Sequence, residues 1–350
     1  KTLPTEIINI VKNIRKEYQF ENITEKLNTM RKKKVLIIGD TIIDEYVSVK
    51  ALGRPSKENI IATQYESKEL FLGGVFASIG TLSSFSDNID FITKFNSNKN
   101  DIKFIKKHIP KNIKKAYFLH DKTVTTKKTR YVMNSHSHIK KLFEIYEMDD
   151  KPINDKEEKQ ILKILDRDLS KYDMVIVNDY GHGLITEKII NTLQKKSRFL
   201  AVNAQINAGN QGYNLITKYK KADYYCIDLE EAKKAINKKD IIQEHVPNEL
   251  SKKINGKYIA VTLGANGSIT RFKKNKNFRF PAFTNIIVDT MSAGDAYYVS
   301  SAMTLFLTNS VPLAALLGNL CGSMQVALRG CSPINKDIFY QNLNSLFKIN

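Results

Sequence analysis

Cysteine is scarce in this 350-residue chain: three residues, Cys226, Cys321 and Cys331, an odd number with no metal-ligand spacing. That excludes a disulfide framework and a cysteine-based zinc site, and favours a reducing, cytoplasmic setting. No apolar run reaches the roughly 20 residues of a membrane span. Ala302 to Leu307 and Val311 to Leu320 are broken by polar residues and Pro312, and read as buried helix. There is no signal peptide, no internal repeat and no low-complexity linker. A Gly-x-x-x-x-Gly-Lys-Ser/Thr segment is also missing, which excludes a P-loop phosphate cradle. The chain starts at Lys1 rather than Met, as expected of a fragment cut from a longer protein or of a processed start.

Acidic residues are outnumbered, 36 against 55 Lys and Arg, for a formal charge of +19. Such an excess fits a nucleic-acid or membrane partner, an anionic substrate, or a basic solvated surface. Lysine is spread along the whole chain and no nucleic-acid-binding motif accompanies it. The expectation is therefore a generally basic surface that helps attract phosphorylated ligands, with neither nucleic acid nor membrane as partner.

What is present is a rhythm. Residues 3 to 30 place Ile7, Ile8, Ile10, Val11 and Ile14 at helical spacing. Lys34-Val35-Leu36-Ile37-Ile38-Gly39-Asp40 then reads as a buried parallel strand, and similar runs recur at 174–177, 199–202, 224–227 and 258–261. Helical patterns over 155–169, 186–196 and 229–237 separate them. Alternation of this kind predicts an α/β fold, a doubly wound, mostly parallel sheet with helices on both faces. Ligands in such sheets bind at the carboxyl ends of strands. Segments 45–72 and 123–148 show period-two patterns without long helices and are expected to form a small β lid. Residues 1–33 read as a helical extension and 34–350 as one domain. Asp295 to Leu328, small and apolar, should be a pair of buried helices.

The strongest chemical signal is Val288-Asp289-Thr290-Met291-Ser292-Ala293-Gly294-Asp295-Ala296, where small residues lead straight into a helix. Unpaired N–H groups and the positive dipole end suit an anion there, and an acid so placed can serve as general base for an alcohol. Spacing alone equally allows an ordinary helix start with Asp295 in its first turn. His136 and His138, two apart on a lid strand, allow metal binding or simple exposure. Asp149-Asp150 reads as a solvated turn. Of the basic lid residues Arg54, Lys57, Lys127, Lys128 and Arg130, any could grip a phosphate or line an exposed strand face.

Asp289-Thr290-Met291-Ser292-Ala293-Gly294-Asp295 resembles the Asp-Thr-x-Gly-Ala-Gly-Asp signature of ribokinase-like (PfkB) carbohydrate kinases, and the likeness runs from about Lys34 to Pro333. Gly39-Asp40-Thr41-Ile42-Ile43-Asp44, Leu72-Gly73-Gly74 and Val261-Thr262-Leu263-Gly264-Ala265-Asn266-Gly267 resemble, in order, its first-strand sugar motif, its di-glycine and its nucleotide-phosphate loop. Asn178-Asp179-Tyr180-Gly181-His182-Gly183, Thr126 to Arg130 and Asn203 to Asn214 are similar to stretches of heptose-7-phosphate kinase domains, including those of bifunctional nucleotidylyltransferase/sugar kinase proteins.

The resemblance implies an ATP- and Mg²⁺-dependent kinase of a sugar or sugar phosphate, feeding nucleotide-sugar or surface-polysaccharide synthesis. Asp295 would be the base, with Ser292, Ala293 and Gly294 forming an anion hole. Asp44, Gly73, Gly74, Arg130 and Asp179 would hold the sugar, Arg130 being the basic lid residue favoured to grip a phosphate that the sugar already carries. Thr262, Gly264, Gly267 and Asp228 would hold the nucleotide, and Glu231 would act on Mg²⁺ through water. It further implies a nucleotidylyltransferase domain before Lys1 in a longer protein. Independently, a lid of extended strands offers unpaired edges, so a homodimer through the lids is expected. Three positions depart from the pattern: Ser292 replaces Gly, Ala77 replaces a substrate-contacting Asn, and Asp228 replaces the Asn of Asn-x-x-Glu. They make a kinase-fold module that binds sugar or nucleotide without turning it over the alternative.

Overall fold

Along Val35–Gly39 (β1) the side chains of Val35 and Ile37 enter one hydrophobic core while Leu36 and Ile38 enter a second. The same division repeats in Met174–Asp179 (β8), Leu200–Ala204 (β9), Lys221–Asp228 (β10) and Asn255–Thr262 (β11). A strand that is apolar on both faces must be covered on both, and this sheet is. The computed structural model describes residues 3–55, 57–96, 99–121, 124–134, 139–210, 212–273, 276–283 and 287–349.

The remaining strands are Thr41–Gly53 (β2), Ala62–Gly74 (β3), Ile89–Asn96 (β4), Ile113–Asp121 (β5), Thr126–Asn134 (β6), Ile139–Glu147 (β7), Ser268–Lys273 (β12) and Lys276–Phe280 (β13). The helices are Thr5–Glu17 (α1), Phe20–Thr29 (α2), Val75–Ser83 (α3), Lys99–His108 (α4), Asp155–Asp168 (α5), Glu187–Lys196 (α6), Leu229–Ile236 (α7), Val246–Leu250 (α8), Ala293–Thr308 (α9), Val311–Val326 (α10) and Lys336–Phe347 (α11).

The main sheet has nine strands in the order β13-β12-β11-β10-β9-β8-β1-β4-β5. All neighbours from β11 to β5 are parallel, while β12 and β13 add antiparallel strands at one edge. Helices α1, α2, α3, α9, α10 and α11 bury their apolar faces in the first core, and α5, α6, α7 and α8 in the second. The sequence marks these helices locally. Asn154 accepts from the N–H groups of Lys156 and Glu157, and Glu157 returns a bond to the Asn154 N–H, a reciprocal cap at the start of α5. Pro312 sits in the first turn of α10, where its missing N–H is harmless. No helix among the described residues is long and apolar enough to cross a membrane.

The lid is a separate four-stranded sheet, β3-β2-β6-β7. Asp40 alone separates β2 from β1, so the lid grows directly out of the central strand, and β3 returns to the core through Gly73 and Gly74. The lid strands thus reach closer to the core than the period-two pattern indicates. His136 and His138 lie outside the described residues.

Candidate active site

The turn before α9 is set by an unusual residue. Ser292 has φ of 58°, a left-handed conformation that costs a side-chain-bearing residue about 1–2 kcal/mol. Its hydroxyl makes no helix cap and instead meets the Cys331 thiol at 2.6 Å. Two residues into the helix, Asp295 is buried, and the Tyr180 hydroxyl donates to its Oδ1 at 2.7 Å. Burial pushes the Asp295 carboxyl up to about 6; the Tyr180 bond and Lys128 oppose that rise, while the Asp44 charge adds to it. A carboxyl so placed is poised to exchange a proton near neutral pH.

Facing it is the inner surface of the lid. Asp44 on β2 pairs in register with Lys128 on β6, which pairs with Tyr146 on β7, so these side chains share a face. Lys128 is half-buried, with its ammonium 5.3 Å from the Tyr146 ring centre. Burial, with help from Arg130, pulls the Lys128 ammonium below its ordinary range, against the Asp44, Glu144 and Asp295 charges. The Arg130 guanidinium bonds Asp44 and also Glu144, the latter at 3.1 Å. Gly73 lies where a Cβ would stand 2.1 Å from Asp44 Oδ2. Gly74 has φ of 60° and would bring a Cβ within 2.3 Å of the Asp40 carbonyl oxygen. These two glycines let the strand end close against both aspartates.

On the other side of α9 lies a cleft of about 350 Å³ at the carboxyl ends of β10 and β11. Ala293 and Gly294 line it from the helix start, opposite Thr262, Gly264 and Gly267. Asp228 and Glu231 line it from the start of α7, where the Asp228 side chain accepts from the Glu230 N–H at 2.9 Å. Ala265, Ile287 and Val326 give the cleft an apolar part. Glu231 Oε1 accepts from the Ile206 N–H at 2.8 Å, and burial pushes its carboxyl up to about 7, with Asp228 adding to the rise. Asn203 contributes a buried Oδ1 with no hydrogen-bond partner. Carboxylate and amide oxygens clustered beside a cleft are the donor chemistry of Mg²⁺ held through water, so these residues fit that ion. No group of three or more His, Cys, Asp and Glu side chains with metal-binding geometry occurs among the described residues.

The first helical turn of α9 therefore has the cleft on one side and the charged inner face of the lid on the other. Residues 32–337 match the family described as "pfkB family carbohydrate kinase". The chain belongs to this family. Among curated relatives of this PfkB chain, the "Bifunctional protein HldE" of Aliarcobacter butzleri is 25% identical over 328 residues, covering 91% of this chain and 66% of that protein. Its namesake in Nitratiruptor sp. is 23% identical over 306 residues, covering 86% and 63%. The chain thus spans somewhat less than two thirds of the length of these relatives. Among solved structures, phosphofructokinase-2 of Escherichia coli in complex with potassium has a TM-score of 0.70 at 11% identity, covering 91% of this chain and 100% of that one. Ribokinase of Thermotoga maritima has a TM-score of 0.67 at 16% identity, covering 89% and 99%. The fold is ribokinase-like.

Against the PfkB pattern, the structure gathers most of the singled-out residues. Asp44, Gly73, Gly74 and Arg130 cluster at the base of the lid, with the Asp44 charge acting on Asp295, and Ala293, Gly294, Thr262, Gly264, Gly267, Asp228 and Glu231 share the cleft. Asp179 is placed apart. Its fully buried carboxylate takes bonds from Tyr219 (2.6 Å), Lys218 (2.5 Å), Asn214 (3.1 Å) and the Gly181 N–H (3.1 Å). Of the basic lid residues, Arg54 and Lys57 are exposed between β2 and β3, and Lys127 turns to the outer face to meet Glu45 and Glu147. Arg130 has its guanidinium already engaged by Asp44 and Glu144. Ala77 is buried in the first turn of α3. The Asp149-Asp150 turn is not simply solvated, because Asp150 pairs at 2.7 Å with the buried His182.

Sequence reasoning missed Asp40, which accepts from the N–H groups of Tyr180, His182 and Leu184 and so shapes the turn that aims Tyr180. It missed Cys331, whose thiol lies 3.9 Å from Asp44 Oδ2. Asp40 adjoins the Gly39 strand end and Tyr180 lies in a quoted motif, so both had a local signal. Cys331 had none.

Proposed function

We propose that the protein is an ATP-dependent kinase of a sugar or sugar phosphate, acting on a heptose phosphate-like acceptor. The observation that carries this reading is the buried Asp295 carboxyl, raised to about 6, directly after Ala293 and Gly294, which line a cleft together with Gly264 and Gly267. Asp295 takes the proton of the acceptor hydroxyl, and that oxygen attacks the γ-phosphorus in line with the departing diphosphate. Tyr180 holds the carboxylate in place. The N–H groups at the start of α9 stabilise charge on the transferring group. Asp44 accepts from sugar hydroxyls, with Arg130 fixing its orientation. Lys128 supplies positive charge for an acceptor that already carries a phosphate. Asp228, Glu231 and Asn203 would hold Mg²⁺, which when bound would supply charge neutralisation for the polyphosphate. The lid excludes water, a competing acceptor.

The outer lid face supports a second copy of this chain as partner. Phe143 is 55% exposed, Ile145 49%, and Tyr131 stacks on Phe143 at 4.5 Å. A place in nucleotide-sugar synthesis, with a nucleotidylyltransferase domain elsewhere in a longer protein, is supported by relatives named bifunctional that extend beyond this chain. The domain reading remains a ribokinase-like unit over 34–350, with 1–33 added to its first core.

The test is ATP consumption against a panel of sugars and sugar phosphates, with the phosphorylated position assigned by phosphorus NMR. Turnover with one class of acceptor, lost by several orders of magnitude in Asp295→Asn while ATP still binds, supports the reading. No transfer to any acceptor would instead favour a sugar- or nucleotide-binding module.

A further inference from the structure

Lid strand β7 contains a register break. Tyr131 pairs with Phe143, but the next residue, Val132, pairs with Lys141, leaving Leu142 as an extra residue. Phe143 faces outward, so strict alternation would also turn Lys141 outward; the bulge re-aims it to the inner face. There its ammonium meets Asp289 Oδ1 at 3.1 Å. Asp289 is the buried first residue of the turn that leads into α9, and it joins four elements. The Tyr46 hydroxyl of β2 donates to Oδ2 at 2.5 Å, and the Gly330 N–H donates to the same oxygen at 3.1 Å. The Met291 N–H, one residue before Ser292, donates to Oδ1 at 3.2 Å. Alongside, the Ile139 N–H at the start of β7 donates to the Val288 carbonyl at 3.1 Å. Burial alone would raise the Asp289 carboxyl; Tyr46, Lys141 and the Gly330 N–H outweigh it and hold the group ionised below its usual range.

We infer that Lys141 is a positioning residue: from the lid it holds Asp289, and through Asp289 the 289–292 turn, so the N–H cradle of α9 is set only while β7 is seated. A single carboxylate thus reports lid position to the groups that face the transferring phosphoryl. Lys141 does not line the cleft, and its ammonium is paired with Asp289. The kinetic part of this inference rests on the kinase reading above; the structural coupling does not.

Lys141→Met should lower kcat by roughly 5- to 150-fold, the range of a typical intersite coupling, with the KM for ATP within about twofold of the parent. Lys141→Arg should restore most of that loss, and ammonium chloride should partly rescue Lys141→Met but not the parent. Lys140→Met, on the exposed neighbour, should change nothing. Independently of turnover, hydrogen exchange at the 289–294 amides should quicken in Lys141→Met while the thermal midpoint stays within a few degrees. An unchanged kcat, or a loss that Lys141→Arg does not restore, overturns the positioning role. Unchanged exchange at 289–294 overturns the coupling itself, even in a protein that phosphorylates no sugar.

Discussion

The Tyr180 hydroxyl donates to Asp295 Oδ1 at 2.7 Å, joining the end of β8 to the first turn of α9. This bond stabilises the charged carboxylate in a site whose burial opposes charge. With a base titrating at about 6, kcat/KM should fall about tenfold per pH unit below that value and level off above it. Tyr180→Phe removes the donor, so the acid limb should move to higher pH while the plateau survives. Rate profiles of the parent and Tyr180→Phe from pH 5 to 9 check this; an acid limb that stays in place would show that Tyr180 does not tune the base.

The same burial has a stability consequence of opposite sense. The folded protein binds the Asp295 proton more tightly than the unfolded chain, whose carboxyl titrates at its ordinary 3.8. This group's contribution is therefore fully present below 3.8 and lost as pH rises through about 6. The difference corresponds to about 3 kcal/mol at most. Asn at this position keeps an acceptor for Tyr180 and carries no charge. Asp295→Asn should accordingly be more stable than the parent at pH 8, by roughly 1–3 kcal/mol, with the gap closing toward pH 4. Urea titrations at the two pH values measure it.

Five central strands were legible because burial on both faces leaves a short apolar run, as in Val35 to Ile38, whereas β4 and β5 were not, since Asp90, Thr93 and Lys94 or Lys114 and Lys115 interrupt them. The edge pair β12 and β13 was not, since Ser268–Lys273 and Lys276–Phe280 mix basic with aromatic residues as a solvated edge does. In the site, the turn before Asp295 stood out because small residues at a helix start carry their meaning locally. Cys331 reaches the site only through tertiary pairing, and Lys141 reaches Asp289 only through a bulge that no local pattern announces. Asp179 illustrates the converse: it lies within a recognisable motif, yet the fold engages its carboxylate with Tyr219, Lys218 and Asn214.

Glu231 is the residue through which the cleft should sense divalent ion. Burial raises its carboxyl to about 7, with Asp228 adding to the effect and the Ile206 N–H opposing it. A nearby cation would favour the ionised form. Glu231→Gln preserves the acceptor for Ile206 but removes the charge, and should raise the Mg²⁺ concentration giving half-maximal rate about 10- to 100-fold. Titrating the rate with Mg²⁺ at saturating ATP reads this. An unaltered Mg²⁺ curve would remove Glu231 from the ion's surroundings.

The outer lid face provides the remaining prediction. Glu45 on β2 pairs in register with Leu70 on β3 and Thr129 on β6, and Thr129 pairs with Ile145 on β7. The exposed Leu70 and Ile145 therefore lie in one row, beside the stacked Tyr131 and Phe143. Exposed apolar side chains flanking the Glu45–Thr129 pair, on a sheet with open edges, suit the same face of a second copy related by a twofold axis. Phe143→Asp combined with Ile145→Asp should convert a dimer to a monomer in sedimentation velocity at micromolar concentration. Both side chains are half exposed in the isolated chain, so the monomer's own fold should be disturbed by no more than about 0.5 kcal/mol per site. A parent protein that sediments as a monomer at every concentration would leave this face without the partner proposed for it.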